Sequence, residues 1–209
     1  MPITAEVSPL AIVNDALGEL SADPLTDLLP ESGRLNDRAG RQYTRRVDAL
    51  LTERAWNFAT RIVLLSALTE APPSPWTVQY ALPAGTLRVV STDIPAECYT
   101  LASENTEDGT RRLYATRTGI RAVVVVRPAD ETLPAYFVEA LIADIAWKLA
   151  PFVTGDTNAA TYFGGLAHVA LSKAKMHDAA ETPSPRIPAF DPRYGGFSAD
   201  AYFPRLTPR

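Results

Sequence analysis

Residues 54–61 read Arg-Ala-Trp-Asn-Phe-Ala-Thr-Arg, and the chain changes period across them. Upstream, Ala39, Tyr43, Val47, Leu50 and Leu51 recur at helical spacing, and Phe58 extends the stripe. A helix is therefore expected from about Leu35 or Asn36 into this octet. Downstream, residues 61–68 read RIVLLSAL, a β-branched and aliphatic run typical of a strand. The octet is thus a joint between helix and sheet. Helical residues two positions apart point in different directions. Trp56 and Phe58 are accordingly expected to diverge, one into the helices and one over the base of the sheet. Asn57 is expected to satisfy backbone groups left open at the helix end. Trp56, Asn57 and Phe58 together form the expected domain hinge.

Toward the N-terminus, Ser8-Pro9 carries the signature of a helix cap with proline in the first turn, where a missing N–H costs nothing. Leu10, Val13, Leu17 and Leu20 follow at helical spacing, and Ser21 to Gly33 reads as a loop. Beyond the octet, WTVQYALP (76–83), TLRVVST (86–92), ECYTLAS (97–103), RRLYATR (111–117) and IRAVVVVRP (120–128) repeat the strand signature between turn residues. ENTEDG (104–109) reads as a hairpin loop. An antiparallel sheet or small barrel of about five or six strands is expected.

After Pro134 the helical period returns with Phe137 or Val138, Leu141, Ile145, Leu149 and Phe152, and it breaks at Thr154-Gly155. Asp156 or Thr157 then caps a helix reaching about Ala180. The fold class is α+β: an antiparallel bundle of about four helices, because each has one apolar face that another must cover. The expected division is 1–61 and 133–182 as the bundle, 62–132 as an inserted antiparallel β-sheet or barrel domain, and 183–209 as an extended arm. Six prolines exclude a helix or central strand from that arm, yet it carries Phe190, Tyr194, Phe197, Tyr202 and Phe203. Rings in such a segment gain by burial against another surface, so it reads as a docking arm.

At 209 residues, with 46% hydrophobic and 21% charged content, the chain has the totals of a folded soluble protein. A net charge of -4 argues against a dedicated DNA binder. No secretory leader is expected, and Glu139, Asp144 and Lys148 interrupt the most apolar stretch, so no membrane span is expected. Cys98 is the only cysteine, which excludes an internal disulfide and a cysteine-cluster metal site. His168 and His177 lie nine positions apart and make no same-face metal pair. Gly164-Gly165 sits within a helical pattern and suits close helix packing better than a phosphate loop. Glu139 and Asp144, five apart, diverge on a helix and are poor partners for acid–base work. The sequence reads as a non-enzyme with no metal and no cofactor.

Charge is segregated. Glu6, Asp15, Glu19, Asp23, Asp27 and Glu31 precede Gly33 without a lysine or arginine among them, and Arg34, Arg38, Arg41, Arg45 and Arg46 follow at once. Arg34, Arg38, Arg41 and Arg45 fall along one helical face. That face is a solvated stripe or pairs with the acidic segment, or it meets an acidic surface of a neighbouring copy. Nucleic acid is the third possible partner.

Four stretches in order, IVNDALGEL (12–20), YTRRVDALLTERAWNFATRIVLLSA (43–67), WTVQYALPAGTLRVVS (76–91) and YFVEALIADIAWKLA (136–150), resemble the tail tubular protein A family, the head-to-tail adaptors of short-tailed bacteriophages. The most specific elements are Trp-Asn-Phe-Ala-Thr-Arg and the set Trp76, Tyr80, Leu82 and Pro83. The resemblance implies a virion protein at the capsid–tail junction, made in the host cytoplasm. It implies a homo-oligomeric ring, commonly of twelve copies, beneath the portal protein. That ring continues the DNA channel and anchors the tail nozzle and fibres or spikes. Double-stranded DNA would pass through without specific binding, no membrane would be involved and no reaction catalysed. The arm residues Arg186, Phe190, Arg193, Tyr194, Phe197, Tyr202, Phe203 and Arg205 would engage the portal or a neighbouring copy. Arg34, Arg38, Arg41 and Arg45 would form an intersubunit basic face. The alternative is a nucleic-acid-binding accessory protein using the same arginines.

Overall fold

A computed structural model describes residues 7–102 and 111–181. The expected hairpin loop at 104–109 and the docking arm at 183–209 therefore lie outside the described residues. The chain is mixed α+β, with four α-helices and antiparallel sheets in the described part.

Helix α1 (Pro9–Glu19) starts as the sequence predicts: the Ser8 hydroxyl accepts the Ala11 N–H at 3.2 Å. Its buried face is Ile12, Val13, Ala16 and Leu17. The loop after it is pinned by Asn14, whose side chain accepts the Leu25 N–H at 2.8 Å and donates to the Leu25 carbonyl at 3.0 Å. Helix α2 (Arg34–Glu53) buries the predicted Ala39, Tyr43, Val47, Leu50 and Leu51. It stops at Glu53, earlier than expected, because Arg54 turns to extended backbone (φ -146°, ψ 171°). Phe58 consequently belongs to no helical stripe.

Seven strands come next among the described residues: β1 (Thr60–Leu64), β2 (Ser66–Ala67), β3 (Val78–Ala81), β4 (Thr86–Thr92), β5 (Tyr99–Ala102), β6 (Arg112–Ala115) and β7 (Arg121–Val126). They form two antiparallel sheets, ordered β1-β7-β4 and β2-β3-β6-β5, with no closed barrel among the described residues. The barrel alternative is thereby corrected. The single strand expected at 61–68 splits at Leu65, which is buried while its neighbours enter different sheets. Burying that side chain between the sheets, with its N–H given to the Ile120 carbonyl (2.9 Å), is what lets the chain change sheets there. Leu65, Tyr80, Leu113, Ile120 and Val124 belong to the apolar cluster between the strands.

Helix α3 (Ala135–Thr154) ends at Gly155, whose left-handed φ of +69° a side chain would strain. Helix α4 (Thr157–Glu181) begins beside Asp156, whose carboxylate accepts the Asn158 N–H at 2.8 Å. Helix α3 packs against α1, α2 and α4, and its Phe137, Leu141, Ile145 and Leu149 belong to the second apolar cluster with the buried faces of α1 and α2. Val125 and Ala59 join this helical cluster, so one end of the β1-β7-β4 sheet rests on the helices. Gly164 provides the close approach of α4 to α3: a Cβ there would stand 3.0 Å from the Trp147 indole nitrogen.

Candidate functional site

The joint at 54–58 differs from its predicted geometry. Trp56 and Phe58 do not diverge. Their ring centroids lie 5.9 Å apart, and both meet Phe137 edge-on, at 5.2 and 5.1 Å. The expectation failed because both residues lie past the helix, where helical spacing no longer sets side-chain direction. Trp56, fully buried, donates its indole N–H to the Leu50 carbonyl at 2.7 Å. It thus fills an open carbonyl at the end of α2, a task expected of Asn57. Asn57 instead reaches α4: its backbone N–H is donated to Asp178 Oδ1 at 2.8 Å and its side-chain amide to the Asp178 carbonyl at 2.6 Å.

Asp178 is the residue that sequence reasoning missed. It has 0% exposure, and Arg54 Nη2 stands 3.2 Å from its Oδ2, an ion-pair distance without hydrogen-bond alignment. Arg54 also donates to the Lys175 carbonyl at 3.0 Å and lies over the Trp56 ring, 5.5 Å from its centroid. Burial first, then the Asp178 and Glu181 carboxylates, push the Tyr136 hydroxyl well above the usual tyrosine range. Lys175 pairs with Glu53 at the same end. The last turns of α4 are therefore tied to the end of α2 by several polar contacts and an aromatic cluster. In the sequence Asp178 is one more polar residue of the α4 pattern, with nothing nearby to mark it as buried.

The four arginines of the expected basic face all lie on α2, in differing surroundings. Arg34 and Arg45 are exposed and make no ion pair among the described residues. Arg41 pairs with Asp37 one turn earlier at 2.5 Å. Arg38 lays its guanidinium over the Phe152 ring, 4.9 Å from the centroid. Pairing with the acidic first segment is not found among the described residues: Asp15, Glu19, Asp23, Asp27 and Glu31 make no ion pair there. Arg46, next to the stripe, turns inward and makes a two-pronged pair with Asp144 of α3. Arg127 joins Asp48 at 2.9 Å, fixing the end of β7 to α2.

Exposed apolar side chains cluster on α4 and on β1 among the described residues. On α4, Tyr162, Leu166, Val169 and Met176 are exposed, and beside them a groove of about 390 Å³ runs between α3 and α4. On β1, Ile62 (73% exposed) and Leu64 share the outer face of the sheet. Of the two histidines, His177 stacks on Tyr136 and His168 is exposed. Among the described residues no three His, Cys, Asp or Glu side chains are grouped to hold a metal ion, and no helix is long and apolar enough to cross a membrane. The arm residues Arg186, Phe190, Arg193, Tyr194, Phe197, Tyr202, Phe203 and Arg205 lie outside the described residues. No protein-family model and no curated protein sequence matches this chain.

Proposed function

We propose that this chain is a structural subunit of a bacteriophage head-to-tail adaptor, assembling as a ring, of twelve copies as the resemblance implies, under the portal. The strands then form an insert between two helical pairs: 1–61 and 133–182 close into one bundle, and 62–132 stands as the β domain. The work is done by matched surfaces, with the ring continuing the DNA channel and carrying the tail nozzle and fibres.

The observation that carries this reading is the unspent charge. Exposed acids Asp15, Glu19, Asp23 and Glu31 and exposed cations Arg34 and Arg45 stand on one chain without pairing among the described residues. Side-by-side copies can join one patch to the other in a head-to-tail contact, which closes into a ring when the rotation allows. The exposed apolar faces of α4 and β1 supply further surface to bury. An acidic overall balance suits a lumen through which DNA slides unheld.

Sedimentation and negative-stain microscopy of the protein, alone and mixed with the portal of the same virus, test the reading. Rings seated on the portal are expected. A lone subunit that never joins a particle refutes it, and tight, steeply salt-dependent binding to free DNA would move the assignment to a nucleic-acid-binding accessory protein.

A further inference from the structure

The groove between α3 and α4 has an apolar floor and charged residues in its lining. Its floor and walls include Ile142, Ala143, Phe163, Leu166, Val169 and Ala170. At about 390 Å³ it lies within the roughly 300–1,000 Å³ range of clefts that enclose small ligands. Glu19 and Glu139 line it without an ion pair among the described residues, and Lys173 and His177 line it as well. Half-exposed Val169 and Leu166 on a helix wall are costly to leave in water at about 25 cal/mol per Å².

We propose that this groove is a binding site for the chain's own residues 182–209, held in cis in the free subunit. The described chain ends at Glu181 on α4, the helix that forms one wall of the groove. Beyond Glu181 the chain has 28 more residues with five aromatic rings, and four arginines against two aspartates. Rings suit the apolar floor, and the arginine excess suits Glu19 and Glu139 in the lining. Length permits it. Leu166 lies about 22 Å back along α4 from Glu181 at 1.5 Å per residue. Phe190 is nine residues on and spans up to about 30 Å when extended. The chain from Glu181 to Tyr194 is long enough, when extended, to span the roughly 27 Å back to Phe163. Tethering favours this occupant over a second copy, since a short linker gives an effective concentration of about millimolar. The proposal concerns the free subunit and does not depend on the adaptor reading.

Limited chymotrypsin digestion of the full chain tests it, read by mass spectrometry at the Tyr194–Gly195 and Phe197–Ser198 bonds. Val169→Glu and Leu166→Asp spoil the apolar wall from half-exposed positions, where circular dichroism verifies an intact fold. Phe190→Asp spoils the segment without touching the described core. Cleavage of the open form tracks its population, so each variant should be cut about tenfold faster than wild type. Equal rates in wild type and all three variants overturn the proposal. Sedimentation at the digestion concentration decides the occupant: protection in a monomer supports docking in cis. Protection that appears only as the mass doubles overturns it in favour of a second copy.

Discussion

Replacing Arg54 by methionine isolates the pair that ties α2 to α4. Methionine keeps an apolar stem near Trp56 but removes the guanidinium, leaving the fully buried Asp178 carboxylate with the Asn57 N–H and a long 3.5 Å contact from the Tyr136 hydroxyl. Breaking a buried pair by deleting one partner costs about 3–5 kcal/mol. Arg54 is 33% exposed, so water already weakens the pair, and about 2–3 kcal/mol is the expected loss. Asp178→Asn added to the same chain removes the stranded charge while keeping an acceptor for Asn57. It should restore about 1–2 kcal/mol. The double variant is therefore more stable than Arg54→Met alone, although it carries one more change. Urea unfolding followed by far-ultraviolet circular dichroism gives the three differences. A loss below about 0.5 kcal/mol for Arg54→Met, or a double variant as costly as the two singles added, would refute the reasoning.

Trp56→Phe keeps most of the ring but deletes the donor to the Leu50 carbonyl, and about 1–2 kcal/mol of stability should go with it in the same unfolding assay. Gly→Ala exchanges should split by site: Gly18→Ala on α1 meets nothing within 4 Å and should stabilise by about 0.5–1 kcal/mol, whereas Gly40→Ala places a Cβ 3.0 Å from the Leu28 carbonyl oxygen and should lower the melting temperature. Burial, helped by the Asp130 carboxylate, pushes the Tyr43 hydroxyl well above the usual tyrosine range. Its folded pKa is raised, so its contribution to stability is whole below about pH 10 and falls as pH rises beyond it, which Tyr43→Phe should remove from the alkaline limb of a stability–pH profile. If the α2 face joins copies, Arg34→Glu with Arg45→Glu should abolish rings on the portal while leaving the melting temperature within about 1–2 °C, since neither arginine is paired within the described residues; intact rings in negative stain would contradict this.

Local chemistry was enough to determine much of this protein. Ser8-Pro9 announced the start of α1, the stripe from Ala39 to Leu51 announced α2, and the break at Gly155 separated α3 from α4. The strands from Val78 onward fell inside the predicted β segments. These signals act within a turn or a pleat, so neighbouring residues carry them. Partnership is another matter. Periodicity tells which face of an element leaves water but not what it meets. Only the closed chain brought Asp178 to Asn57, 121 residues away, and Asp144 to Arg46, 98 residues away. Only the closed chain turned Trp56 and Phe58 onto the same Phe137, and it divided residues 61–68 between two sheets around Leu65. A buried carboxylate or ring takes whichever partner the completed core puts within reach, and that choice is made by packing rather than by spacing.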